Sequence, residues 1–408
     1  MSNLQNKTVA VVGGGPAGSA AAIRCAILGC RVLLIDKARF PRDKVCGDGI
    51  PAKVLNLLSA LHIPQEEVAA LGYPIYGMTL YGPSAQKIAL GSPQASVRPG
   101  SFCIPRKIFD HFLFEKARAR ANCVYSGRKV EKAEWNGKRW LLTFADASGD
   151  KPEADLLIAA DGATSLLARK ILGLPTGEAH RFWGIRQYFR GGPFPPLVRM
   201  FYDRRLLPGY FWIFPVAENR VNVGMMVPKA AIETVPIQKL FEQVRQTNGE
   251  VARYLENALP EEAAKGAPLP LGTLPGTRVS EGFVAIGDAA SFVNPVTGGG
   301  IFSAMLSGIK AAEFGAKALS GKTTSLEALL EYERWWRRTL LPGFRAARWL
   351  ARPLADFSRA DALFSKMQKY RLLRNLFFAM YGQPLSRFFY LRPGFWAQIV
   401  LMGSKAGK

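Results

Sequence analysis

A chain of 408 residues with 49% apolar and 21% charged side chains has ample material for a core, which excludes a disordered polymer, and its length implies two or more lobes. It carries 54 Lys/Arg against 31 Asp/Glu, a net charge of +23, and the excess is uneven: Arg334 to Lys408 hold 15 basic and 2 acidic residues and four of the eight tryptophans. The five cysteines (25, 30, 46, 103, 123) are odd in number, form no CxxC pair and make no zinc-spaced cluster with His62, His111 or His180, so neither a disulfide framework nor a metal site is expected.

The opening "MSNLQNKTVAVVGGG" has no signal-peptide pattern, and no stretch approaches the ~20 apolar residues of a membrane span. The expectation is a cytoplasmic protein with reduced thiols. Residues 8–36 read as strand, glycine turn, helix and strand. Gly13, Gly15 and Gly18 have G-x-G-x-x-G spacing: the first permits the tight turn, the second a close phosphate, the third close helix–strand packing. Asp36 ends the second strand, where a carboxylate can bind a ribose diol. Next comes "FPRDKVCGDGIP" (40–51), which sets Cys46 beside a Gly-Asp-Gly.

Further on, 105–120 predicts an amphipathic helix beginning at a proline, followed by strands near 122–126, 129–136 and 139–146. A buried strand then runs into Asp161-Gly162. Alternation over 180–227 predicts an antiparallel sheet, and "YFWIF" would project Tyr210, Trp212 and Phe214 onto one face as the wall of an apolar tunnel or as core. "GFVAIGDAA" is one more buried strand, ending in Gly287-Asp288 ahead of the triple glycine 298–300 and a helix over 299–319. Backbone amides at that glycine-rich helix start can hold a diphosphate or an electron-poor ring. The remainder, 325–408, is helical in pattern and interrupted by Pro342, Pro353, Pro384 and Pro393.

With these elements in this order the chain resembles FAD-dependent oxidoreductases of the fold shared by flavin hydroxylases and geranylgeranyl reductases. "IPRKIFDHFL" supplies Arg106 and Asp110, similar to that fold's R-x-x-x-D helix, while "KVCGDG" and "YFWIFP" resemble the geranylgeranyl reductase branch. The likeness spans about residues 8–320. It implies an α/β fold in which an FAD-binding Rossmann-like domain (1–72, 103–178 and 273–325) is interwoven with an antiparallel β-sheet substrate domain (73–102 and 179–272), followed by a basic helical C-terminal region (326–408). Expected at the cofactor are Gly13, Gly15, Ala17, Gly18, Asp36, Lys37, Cys46, Gly47, Gly49, Arg106, Asp161, Gly287, Asp288, Gly299, Gly300 and Ile301. Two positions depart from the family pattern, which often has Glu where Asp36 stands and an acidic residue where Gly299 stands.

The function so implied is reduction of carbon–carbon double bonds in an isoprenoid or other lipid, with hydride from the reduced flavin N5 and a proton from Cys46 or Tyr210; the alternative for Cys46 is a small residue packed against the flavin. A flavin-dependent hydroxylase is the first alternative; a halogenase is disfavoured because its W-x-W-x-I-P pattern is missing. The alternative of another class is a membrane- or nucleic-acid-binding protein on a vestigial flavin fold, suggested by the basic aromatic tail, for which an anionic membrane suits better than nucleic acid. No second G-x-G-x-x-G marks a nicotinamide domain, so the electron donor is read as transiently bound NAD(P)H or a ferredoxin.

Overall fold

The computed structural model describes residues 4–91, 99–146, 148–175, 182–272, 274–321 and 325–379; His180, Pro384, Pro393 and the tail 380–408 lie outside the described residues. Its first layer follows from continuous apolar runs. Thr8–Val12 lies between Arg31–Asp36 and Leu156–Ala159, both parallel to it, and Cys123–Ser126 and Phe283–Ala285 extend the sheet in parallel on either side. Such strands are covered on both faces, which is why they do not alternate in polarity. The helices Pro16–Ile27 and Ile301–Leu319 pack together in the same core, the first of them following directly on the interior strand Thr8–Val12.

That second layer is a large twisted sheet. Phe182–Arg190, Arg220–Pro228, Tyr210–Ala217 and Leu197–Phe201 pair antiparallel, as alternation predicts. At the next position Gly77–Tyr81 joins Leu197–Phe201 in parallel, with Lys87–Gly91 antiparallel beyond it. Alternation does not identify a strand's partner, so this long-range parallel join was not legible in the sequence.

The period of two divides the sheet's aromatic residues. Phe211, Ile213, Val223 and Met225 face one way, into a core closed by the helices Ile237–Thr247 and Gly249–Tyr254. Tyr210, Trp212 and Met226 face the other way, against the C-terminal helices Leu341–Leu354 and Phe357–Lys369. Two of the tail's prolines do not interrupt helices. Pro342 sits in the first turn of Leu341–Leu354, where a missing N–H costs nothing, and Pro353 stands in its last turn.

Candidate active site

Two helix N-termini open on one cleft between the layers. Pro16–Ile27 begins at Gly15 and Ile301–Leu319 at Gly300, and neither N-cap has a side chain to occupy the first-turn amides. Those amides and the helix dipoles favour a negatively charged or electron-rich group. The turn before the first helix is tight: Gly13 has φ +111°, and a Cβ on Gly18 would lie 1.7 Å from the Gly13 oxygen. Gly15, Gly47, Gly49, Gly162, Gly299 and Gly300 all border the cleft, so much of its wall is bare backbone. A dinucleotide's diphosphate and a flat ring need that close backbone approach, and the residues present fit flavin adenine dinucleotide.

Charge is arranged around this cradle in pairs. Arg106 grips Asp110 bidentately at 2.6 and 2.7 Å, and Arg42 reaches the same carboxylate at 2.7 Å. Burial alone would raise the Asp110 carboxyl, but the charge and hydrogen bonds of Arg106, with Arg42 and Lys44, hold it below the usual range. Across the cleft Lys44 Nζ meets Asp288 Oδ2 at 2.7 Å. There too burial is outweighed by the lysine, and the Asp288 carboxyl is held low.

The segment Cys46–Gly49 hangs between cradle and sheet on a buried polar network. Asp48, fully buried with φ +64°, accepts from the Arg106 N–H at 3.2 Å, from the Tyr188 hydroxyl at 2.5 Å and from Asn222 Nδ2 at 2.7 Å. Asn222 also donates to the Cys46 carbonyl at 2.8 Å and accepts from Trp212 Nε1 at 2.9 Å. Beneath Tyr188 the buried Arg186 guanidinium stacks at 4.2 Å and is neutralised by Asp43 and Glu262. Burial raises the Asp48 carboxyl to about 6 despite the donors from Tyr188 and Asn222. The Cys46 thiol is raised as well, by burial first and by Asp48, with Arg106 opposing, so it keeps its proton at neutral pH. All five cysteines are free.

Tyr210, Trp212 and Phe214 border the cleft opposite the cradle. The Tyr210 hydroxyl donates to the Thr297 carbonyl at 2.6 Å, tying the glycine turn to the aromatic strand. Gly224, directly across from Trp212, leaves room for the indole: a Cβ there would lie 2.3 Å from the ring.

Of the residues expected at the cofactor, Gly15, Ala17, Cys46, Gly47, Gly49, Arg106, Asp288, Gly299, Gly300 and Ile301 border the cleft. Others lie behind it. Asp36 accepts from the Gly14 and Ala38 N–H groups at 2.6 and 2.7 Å. Lys37 is exposed. Asp161 turns its carboxylate to Ser165 and to the Leu166 N–H at the start of the helix Leu166–Leu172. Gly287 makes room for the Ala17 methyl, which an added Cβ would meet at 2.8 Å. Sequence reasoning missed Asp48, Tyr188, Asn222, Lys44 and Lys53. Lys53 borders the cleft over the Phe302 ring at 4.7 Å, its ammonium lowered by burial. The one signal was the aspartate inside "GDG"; its partners are 140 and 174 residues away.

The model of the FAD binding domain family matches residues 6–338 of the chain. A relative from Methanopyrus kandleri, digeranylgeranylglycerophospholipid reductase 1, is 30% identical over 368 residues, which cover 87% of this chain and 92% of the relative. Among solved structures, a geranylgeranyl bacteriochlorophyll reductase-like protein from Thermoplasma acidophilum superposes with a TM-score of 0.76 at 23% identity, covering 88% of this chain and 91% of that one. The flavin-dependent brominase Bmp2 also reaches a TM-score of 0.76, at 19% identity and with 98% and 99% coverage. At these identities the two structures show a common fold.

Proposed function

The chain belongs to the geranylgeranyl reductase branch of the FAD binding domain family, and from that premise we propose that it reduces carbon–carbon double bonds in the isoprenoid chains of a glycerophospholipid-type substrate. One observation carries this reading: the aromatic strand Tyr210–Ala217 and the glycine cradle face each other across a single cleft, with Cys46 between them. FAD, when bound, supplies the hydride chemistry. Gly15, Arg106, Asp288 and Gly300 would hold it, through amides and charge at its polar parts.

The chain's own residues then have separable tasks. Trp212 and Phe214 offer an apolar wall against which an alkene lies flat and from which water is excluded. Cys46, still protonated at neutral pH, would give a proton to the reacting carbon. The Tyr210 hydroxyl already donates to Thr297, which favours a positioning task for it. In this reading the nucleotide-binding sheet serves the cofactor and the twisted sheet the substrate, and electrons come from NAD(P)H or a ferredoxin. The setting is the cytoplasmic face of an anionic membrane; no helix among the described residues is long and apolar enough to cross one.

The test is direct. Purified protein with its flavin reduced is incubated with an unsaturated isoprenoid lipid extract and followed by mass spectrometry. Gains of about 2 mass units per double bond support reduction, and a gain of about 16 would make the enzyme a hydroxylase instead. Incorporated halogen would place its chemistry with that of the brominase.

A further inference from the structure

A second cavity lies outside the flavin cleft, on the opposite side of the helix Leu341–Leu354 from the aromatic wall. Ala347, Leu350 and Leu354 of this helix pack into the core beneath Tyr210 and Trp212. Arg345, Arg348 and Arg352, at spacings of three and four, project from the opposite face. With Arg337 they surround a groove of about 650 Å³ whose floor is apolar, formed by Leu274, Trp336 and Leu341. That volume is in the range of small-molecule sites.

The groove is electrostatically one-sided. Its lining holds four arginines and no acid, and the helix Leu341–Leu354 contains no Asp or Glu. Arg337 is paired, with Glu333 at 2.6 Å, whereas Arg345 and Arg352 have no acidic partner among the described residues. The Trp336 ring has two guanidiniums near it, Arg278 at 4.8 Å and Arg337 at 5.0 Å. Five residues beyond Arg352 the next helix opens with Phe357, a large apolar side chain 43% exposed. Arginines without acidic partners around an apolar floor, followed along the chain by an exposed phenylalanine, match the boundary of a bilayer, where phosphate lies directly above hydrocarbon.

We propose that this groove docks the phosphate of an anionic membrane phospholipid, with Arg345 and Arg352 as its principal contacts, and so holds the enzyme on the bilayer that contains its substrate. This rests on the reading of the substrate as a lipid. Nucleic acid would use the same arginines; the lipid reading of the substrate favours the membrane, and nucleic acid is an outcome of the test.

The test uses the full chain with FAD bound and vesicles of phosphatidylcholine, alone or mixed with phosphatidylglycerol, read by sedimentation. The double variant Arg345→Glu/Arg352→Glu is compared with Lys129→Glu/Lys138→Glu, which makes the same change in net charge at exposed sites elsewhere. Removing one basic side chain from an anionic membrane surface weakens binding about fivefold. The groove variant is therefore expected to bind mixed vesicles at least tenfold more weakly, while the control pair stays within about twofold of the parent and both keep their flavin absorbance and Tm.

Equal loss in the two variants, equal binding to neutral vesicles, or no vesicle binding at all would overturn the proposal. So would release by duplex DNA at matched ionic strength, which would assign the groove to nucleic acid. Turnover on a detergent-dispersed lipid separates the two readings. Lipid reduction with unchanged vesicle binding in the groove variant refutes the groove alone. Groove-dependent binding by a protein that reduces no lipid supports the groove and refutes the function.

Discussion

Asn222 donates its side-chain amide to the carbonyl oxygen of Cys46 at 2.8 Å, joining two residues 176 positions apart and fastening the flavin-side loop to the aromatic sheet. The same side chain serves Asp48 and Trp212, so one fully buried amide sets the relative position of the thiol, the carboxyl and the indole. Asn222→Ala takes the partner of the Trp212 N–H and of the Cys46 carbonyl and one of the two donors to an Asp48 oxygen that keeps the Tyr188 hydroxyl, and a buried group left unsatisfied costs about 1–3 kcal/mol. The variant is expected to lose about 2 kcal/mol or more in urea unfolding. Its turnover should fall further than its affinity for FAD, because the loop moves while the cradle stays. A variant with parent-like turnover would show that the loop holds its position without the amide.

Asp48 makes stability depend on pH. Burial raises its carboxyl from 3.8 to about 6, so the folded state binds the proton more tightly than the unfolded chain between those values. Stability from this group is complete below about pH 4 and is lost as pH rises toward 6. The loss approaches 3 kcal/mol, at about 1.4 kcal/mol for each pH unit between the two values. Against burial, Tyr188, Asn222 and Arg186 of the sheet and the Arg106 N–H favour the ionised form, and the Cys46 and Cys103 thiols are the titratable groups beside it. The stability of the parent relative to Asp48→Asn should therefore decline from pH 4 to 6 and level off above. A pH-independent difference would assign the slope to other groups.

Much of the nucleotide-binding layer was legible because its signals are local. The GxGxxG turn, its flanking strands and Asp36 occupy 29 consecutive residues, and the alternation in "YFWIF" fixes which aromatics share a face. The polar network was not legible, since Asp48, Tyr188 and Asn222 come from separate segments and each looks ordinary in its own. Asp161 shows how one local pattern serves two ends. An aspartate after a buried strand satisfies the pattern for a cofactor ligand, yet the same geometry caps a following helix, and its carboxylate is engaged there by Ser165 and Leu166. The parallel join of Gly77–Tyr81 to Leu197–Phe201 was hidden for a related reason: it depends on a partner more than a hundred residues away.

Arg106 is expected to tolerate no replacement, not even by lysine. Its two hydrogen bonds to Asp110 use a planar fork that an ammonium cannot reproduce. Arg106→Ala would leave the buried Asp110 carboxylate with Arg42 as its remaining partner, and breaking a buried pair costs about 3–5 kcal/mol. Arg106→Lys should fold with a lowered Tm and bind FAD at least tenfold more weakly, as read by flavin fluorescence. Unchanged affinity would place the arginine in the structure of the helix alone.

Gly47 reports on the spacing between loop and aromatic wall. A Cβ at this position would stand 3.2 Å from the Phe214 ring and 3.4 Å from Trp212 Nε1, tight enough that a neighbour must shift by a few tenths of an ångström. Gly47→Ala should keep its flavin and most of its stability but lose turnover, most of all on substrates with the bulkiest trisubstituted alkenes. Gly137→Ala is the contrasting case, since it does not border the cleft, no atom lies within 4 Å of its added Cβ and its cost is confined to backbone strain at φ +90°. If both variants lost activity equally, cleft width would not be what Gly47 controls.

Cys46 provides the sharpest test of the chemistry. A proton source must hold its proton until the reacting carbon needs it, and burial keeps this thiol neutral at physiological pH while Arg106 and the Asp48 N–H fix its orientation. Cys46→Ala removes the proton and little else, because the backbone carbonyl that binds Asn222 remains. A positioned acid contributes typically 10²–10⁴ in rate, so turnover should fall by about 10² or more with FAD retained and substrate affinity unchanged. Cys46→Ser should recover part of the loss, its hydroxyl being a similar size but a far weaker acid. Full turnover in the alanine variant would reduce the thiol to a packing group and transfer the search for the proton to Lys53 and Cys103, two further titratable side chains that burial perturbs at the cleft wall.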